Sequence, residues 1–290
     1  MLCKENLFAE PETLTNAPIP PANEELPLLS SGCRIFGRIL LPASTSYEER
    51  FPTVLMLHGY PGTEANLDVA HALRRAGLAA VHFYYRGVWG SHGFYSFSNL
   101  IEDTQYMVSF LRENAGEYRI DPERLYLLGY SMGGFAAMNA LARQVQVSGA
   151  VLLSPCDLGS RYLNDPERYQ VTIQVQNGGY FNTPNPAYLN YDVSANAKTW
   201  RFPRLAPFIN PDLPIRFIGG SKDDVTPSSI HIFPTLKILQ ERNMDVTYTE
   251  LPDGHEYIGH RILLAETIFD KIAELDQIVT QRQSKHREEE

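Results

Sequence analysis

Short runs, mostly apolar apart from the last, recur along this chain, and all but the fourth are followed by a stretch with helical spacing. The runs are TVLMLH (53–58), LAAVHFYY (78–85), RLYLLG (124–129), GAVLLS (149–154), PIRFIGG (214–220) and DVTYTEL (245–251). Apolar strands of this kind are buried on both faces, and both faces are covered only when helices lie above and below the sheet. Helical spacing is legible over 66–76, 99–113, 132–144, 229–242 and 257–280. Leu67, Ala70 and Leu73 share a face of the first, which Gly77 stops; Asn99 heads the second as N-cap, with Glu102 as its capping-box partner. Strand and helix in alternation predict right-handed βαβ units, hence an α/β fold with a mostly parallel central sheet flanked by helices. A further strand is expected over CRIFGRILL (33–41).

Two segments fall outside that rhythm. Residues 1–32 hold Pro11, Pro18, Pro20, Pro21 and Pro27 without periodicity, which predicts an extended N-terminal arm leading into one body over 33–290. Residues 156–213, about 58 in all, separate two strands where roughly 15–25 would suffice for a crossover helix. The insertion is rich in aromatic residues, among them Tyr162, Tyr169, Tyr180, Phe181, Tyr188 and Trp200, and is expected to form a cap or lid. The tail RQSKHREEE (282–290) is expected to be a solvated helix end.

Charge and cysteine usage narrow the partners. With 25 Lys and Arg against 34 Asp and Glu, the chain carries a formal charge of −9. That balance disfavours nucleic acid and anionic membrane surfaces, which need a basic face. No run approaches the ~18 apolar residues that span a bilayer, and the opening MLCKENLFAEPETLT lacks the apolar core of a secretory signal. Cys3, Cys33 and Cys156 are odd in number and far apart, so neither a disulfide framework nor a CxxC site is expected. A cytoplasmic, reduced protein is the default expectation, and a homo-oligomer stays compatible with the sequence.

The chemistry concentrates in Gly129-Tyr130-Ser131-Met132-Gly133, a G-x-S-x-G placed where a strand ends and a helix begins. A strand turning straight into a helix forces its corner residue into a strained backbone and lifts the Ser131 hydroxyl clear of the sheet. The helix N-terminus adds free N–H groups beneath a developing oxyanion. A nucleophilic serine needs a base, and the base an orienting carboxylate. The loops after the last two strands supply both: Gly220-Ser221-Lys222-Asp223-Asp224 and Pro252-Asp253-Gly254-His255-Glu256. The expected roles are Ser131 as nucleophile, His255 as base and then acid, and Asp223 as orienter. Asp224 and Asp157 stay open as alternative acids, and His260 as an alternative base. His58-Gly59-Tyr60-Pro61-Gly62 follows the first buried strand, so the Tyr60 and Met132 amides are expected to form the oxyanion hole. His58 itself reads as structural.

Two other motifs fail on spacing. In His255-Glu-Tyr-Ile-Gly-His260 the histidines are five apart and diverge by roughly 140° on a helix, so no zinc site is expected. Gly87-Val-Trp-Gly90-Ser-His-Gly93 is not a dinucleotide fingerprint and reads as a loop offering Trp89 to a pocket wall; no phosphate-binding Walker motif is present.

Over roughly 33–280, HGYPG, YYRGVWGSHG (84–93), IEDTQ (101–105), DPERLYLLGYSMGG (121–134), GGSKDDVTP (219–227) and DGHE (253–256) resemble the α/β-hydrolase superfamily. The feruloyl-esterase-like and prolyl-oligopeptidase-like branches are the most similar. The resemblance implies the α/β-hydrolase fold, the triad Ser131, Asp223 and His255, and the Tyr60/Met132 hole. The expectation is a serine hydrolase of the carboxylesterase type, acting without cofactor or metal on a small-molecule ester with apolar or aromatic groups. An aminopeptidase or acyl-peptide hydrolase with the same triad is the alternative, and a non-catalytic binding protein on the same fold the third reading. No β-propeller is legible within these 290 residues, so the size gate usual to the peptidase branch is not expected in them.

Overall fold

The structure is a computed structural model, and it describes residues 2–10, 17–169 and 181–289. Its frame follows from the apolar runs. Strands β1 (Ala22–Glu25), β4 (Gly37–Leu41), β5 (Phe51–Leu57), β6 (Ala79–Phe83), β7 (Ile120–Tyr130), β8 (Gly149–Leu153), β9 (Ile215–Gly220) and β10 (Val246–Leu251) form one eight-stranded sheet. The order is β1-β4-β6-β5-β7-β8-β9-β10, with β4 antiparallel to β1 and β6 and all other pairs parallel. β2 (Leu28–Ser30) and β3 (Cys33–Ile35) form a separate antiparallel ribbon.

Side-chain alternation along the strands builds two cores. From β5, Leu55 and Leu57 enter the layer that holds Met107 and Phe135, under α2 (Phe97–Glu113) and α3 (Met132–Ala142). Val54 and Met56 enter the opposite layer with Val69 and Ile268, under α1 (Leu67–Arg75) and α9 (Arg261–Glu289). Covering both faces in this way explains why the strands read as continuous apolar runs.

The insertion between β8 and β9 contains α4 (Leu158–Asn164), α5 (Pro186–Trp200) and α6 (Phe202–Leu205). It is tied to the body where the Ser98 amide and hydroxyl donate to Asp192 of α5 at 3.0 and 2.6 Å. Trp200 packs edge-on against Phe135 of α3, ring centroids 5.1 Å apart. Tyr180, part of the aromatic set read from the sequence, lies outside the described residues.

Several local expectations change. The run 33–41 is not one strand: Cys33–Ile35 pairs with β2, and the chain re-enters the main sheet at Gly37. The proline-rich segment supplies β1 at the sheet edge, and Leu7 is fully buried in a turn whose carbonyl accepts from Arg75 at 2.9 Å. Ser96, not Asn99, caps α2: its hydroxyl accepts the Asn99 N–H at 2.9 Å, while the Asn99 amide side chain turns back to donate to the Phe94 carbonyl at 2.8 Å. The helix expected over 229–242 is broken into α7 (Ser228–His231) and α8 (Phe233–Glu241), because Pro234 offers no N–H to the preceding turn. Among the described residues, no helix is long and apolar enough to cross a membrane.

Candidate active site

β7 ends at Tyr130 and α3 begins at Met132, so a single residue makes the corner. That residue is Ser131, with φ 53° and ψ −112°, a backbone state that L side chains rarely adopt. Two anchors hold it there: its N–H donates to the Leu153 carbonyl at 2.9 Å, and its carbonyl accepts the Cys156 N–H at 2.9 Å. The glycine at 133 is a packing requirement, since a Cβ there would lie 1.9 Å from the Leu57 carbonyl oxygen. Absence of that atom lets α3 start directly against the end of β5.

The loops after β9 and β10 meet above Ser131. The Lys222 N–H donates to the Asp253 carbonyl at 2.9 Å, and a Cβ at Gly220 would lie 2.6 Å from that same oxygen, so the loops close only over a glycine. This contact brings Asp223 and His255 together. His255 Nε2 lies 2.9 Å from Ser131 Oγ, and Nδ1 lies 2.8 Å from Asp223 Oδ2. The second Asp223 oxygen, Oδ1, accepts the Val225 and Thr226 N–H groups at 3.0 and 2.8 Å, and the Thr226 hydroxyl donates to Oδ2 at 2.9 Å. Burial raises the Asp223 carboxyl, but the His255 hydrogen bond and charge, with the Thr226 N–H, outweigh it and hold the group well below the ordinary carboxylate range. With Asp223 ionised at Nδ1, the proton sits on Nδ1 and Nε2 faces Ser131 as acceptor. Tyr130 steadies the ring: its hydroxyl donates to the His255 carbonyl at 3.2 Å, and the rings are 5.3 Å apart.

The rival residues go elsewhere. Asp224 is exposed to solvent. Asp157 caps α4 by accepting the Ser160 N–H at 2.9 Å and also accepts the Phe202 N–H at 3.1 Å. His260 Nδ1 lies 3.0 Å from Asp253 Oδ2, so the two histidines of the failed zinc motif serve different carboxylates. His58 is buried, and its Nδ1 lies 2.8 Å from the Gly59 carbonyl.

A cavity of about 190 Å³ opens at Ser131 and is walled by Tyr60, Phe97, Met132, Leu158 and His255 among others. Both residues expected at the oxyanion hole therefore border it. Tyr60 is held by stacking on Phe181 of the insertion, centroids 4.8 Å apart, and Phe181 stacks in turn on Tyr95 at 4.5 Å. Trp89 does not wall this cavity; its indole N–H donates to the Pro61 carbonyl at 3.2 Å and braces the 58–62 loop from outside. Thr226 is the residue that sequence reading missed, although an Asp three residues before a Thr is the pattern of a carboxylate bonded to its own turn. Arg161 and Tyr169 also border the cavity; Tyr169 belongs to the aromatic set expected in the insertion, whereas nothing in the local sequence marks Arg161.

Comparison with known proteins agrees with this architecture. Residues 48–176 match the family model described as serine aminopeptidase, S33. The curated protein YfhR of Salmonella typhimurium is 29% identical over 142 residues, 48% of either chain, so this chain spans about half the length of the curated relatives it matches. Est1E from Butyrivibrio proteoclasticus, solved with ferulic acid bound, superposes with a TM-score of 0.63 at 18% identity, covering 86% of this chain and 98% of that one. Porphyromonas gingivalis dipeptidyl peptidase 4 gives 0.63 at 14% identity over 88% of this chain and 35% of its own. The fold is the α/β-hydrolase fold.

Proposed function

We propose that this chain, with its α/β-hydrolase fold, is a serine hydrolase that cleaves carboxylic esters through an acyl-enzyme. The observation that carries the reading is the Ser131–His255–Asp223 relay, with bonds of 2.9 and 2.8 Å. In the first half-reaction Ser131 Oγ bonds to the acyl carbon as its proton passes to His255 Nε2. The carbonyl electrons move onto oxygen, where the Tyr60 and Met132 amides are assigned to receive them. The imidazolium then gives its proton to the departing alkoxide as the C–O bond breaks. Asp223 stays ionised throughout and offsets the transient charge on the ring. A water repeats the cycle: its hydroxyl joins the acyl carbon, and its remaining proton returns through His255 to Ser131. The acid is released and the enzyme regenerated. On this reading residues 156–213 cap a catalytic body over 33–290, and the aromatic wall of Tyr60, Phe97 and Tyr169 favours apolar or aromatic groups.

Cleavage of peptide or amide bonds by the same residues is the second reading, favoured by the serine aminopeptidase model over residues 48–176. A panel of aminoacyl-naphthylamides beside p-nitrophenyl esters separates the two. The serine assignment itself is tested by p-nitrophenyl butyrate hydrolysis. Ser131→Ala is expected to lower kcat by roughly 10⁴-fold or more, and an alanine variant as active as the wild type overturns the assignment.

A further inference from the structure

We propose that the cavity at Ser131 selects esters that carry a carboxylate, held by Arg161 and Tyr169. The inference rests on the ester-hydrolase reading and names the substrate class of the same site. Arg161 projects from α4 into the cavity wall. It is the permanently cationic side chain among the described residues lining that cavity, and among the described residues it makes no ion pair. Its hydrogen bonds go to neutral groups, a long one of 3.4 Å to the Val225 carbonyl and one to the Cys156 thiol. A guanidinium on a cavity wall without a carboxylate partner among the described residues is a donor fork without its anion.

Tyr169 makes the second, independent observation. It is 5% exposed, it borders the same cavity, and its hydroxyl has no hydrogen-bond partner among the described residues. Leaving a buried hydroxyl unsatisfied costs about 1–3 kcal/mol, a cost that an acceptor on a bound molecule removes. The ring is fixed by edge-on packing against Tyr162, centroids 5.6 Å apart. Guanidinium and phenol together offer donors to the two oxygens of one carboxylate.

The position of the pair adds a direction. A second cavity of about 210 Å³, reaching toward His231 and Ile230, shares Arg161, Tyr169 and Val225 with the first. The donors therefore stand where the two lobes meet. A substrate that fits has an ester at Ser131, an apolar spacer along Phe97 and Leu158, and its charge at the far end. Glu256, the carboxylate bordering the first cavity, is exposed and its repulsion is screened by water.

The test compares matched esters on the intact protein. Mono-p-nitrophenyl adipate is set against p-nitrophenyl hexanoate for a charge on the acyl side, and 4-carboxyphenyl butyrate against phenyl butyrate for the alcohol side. The readout is the charged-to-neutral ratio of kcat/KM in the wild type, Arg161→Gln and Tyr169→Phe. A ratio within one variant is unmoved by partial misfolding or a general loss of rate. On at least one side the ratio is expected to fall about 10-fold or more in Arg161→Gln and about 3- to 10-fold in Tyr169→Phe. Ratios equal to wild type on both sides overturn the proposal. Calorimetric titration of Ser131→Ala protein with mono-p-nitrophenyl adipate reads binding without turnover. Binding that Arg161→Gln abolishes supports the subsite even if no ester is hydrolysed, an outcome that sinks the ester-hydrolase reading alone. Neutral-ester turnover with unchanged ratios sinks the carboxylate subsite alone.

Discussion

Three histidines in this chain are buried as neutral rings, and each has a separate reason. His58 and His82 lie with centroids 6.1 Å apart, and the Nε2 atom of each is buried without a partner among the described residues. His231 Nδ1 accepts the Asp157 N–H at 2.9 Å, which fixes that nitrogen as unprotonated. Burial lowers His58 and His231 to about 4 and His82 to about 3, with His58 adding repulsion to His82. The sign follows from linkage: the folded values lie below the unfolded value of about 6.5, so the unfolded chain binds more protons below that pH. The stability these rings contribute is present above about pH 6.5 and is lost as pH falls toward 4, by about 1.4 kcal/mol per pH unit for each ring. Thermal unfolding should therefore show Tm falling over that interval, less steeply in His82→Phe, which removes one titrating ring. Parallel Tm–pH curves for the two proteins would contradict this account. At the same scale, Thr226 shows what one residue adds to the site. Its amide and hydroxyl take up the Asp223 lone pairs that His255 leaves free.

At the scale of elements, the site depends on how closely α3 can begin against β5. Gly133 sits where a Cβ would lie 1.9 Å from backbone, so neither a rotamer change nor a side-chain shift can relieve the contact. Gly133→Ala should cost on the order of 3 kcal/mol or more by displacing the helix start. Gly116, where a Cβ would meet nothing within 4 Å, is the control, and its alanine variant should stay within about 0.5 kcal/mol of wild type. Denaturant titration of both variants checks the pair, and a Gly133→Ala protein as stable as Gly116→Ala would remove the packing explanation. The elements also show where local signals mislead. The capping residue of α2 is Ser96 although Asn99 has equal intrinsic preference, because the choice depends on which side chain can reach back, and Asn99 is drawn to the Phe94 carbonyl. The edge strand β1 hides in a segment whose prolines suggest no regular structure. At a sheet edge those residues need pair only with β4, so no apolar pattern announces them.

Across the whole molecule, the parallel sheet was legible from the apolar runs, and so were the corner serine and the two loops after β9 and β10. Those features are imposed by local constraints that leave a residue signature: small residues at a tight corner, apolar strands under two helical layers. Arg161 left none, and Tyr169 was legible only as one of the insertion's aromatic residues, because which insertion residues border the cavity depends on how that segment packs. Trp89 was misplaced for the same reason: a loop residue beside the site can face the pocket or brace it from behind, and the sequence does not distinguish the two. The account's central claim is that this assembled site makes Ser131 a nucleophile. Labelling the intact protein with a fluorophosphonate and mapping the adduct by peptide mass spectrometry tests that claim most directly. The account predicts a single adduct on Ser131 that is absent in Ser131→Ala; no adduct, or one on another residue that persists in the variant, would contradict it.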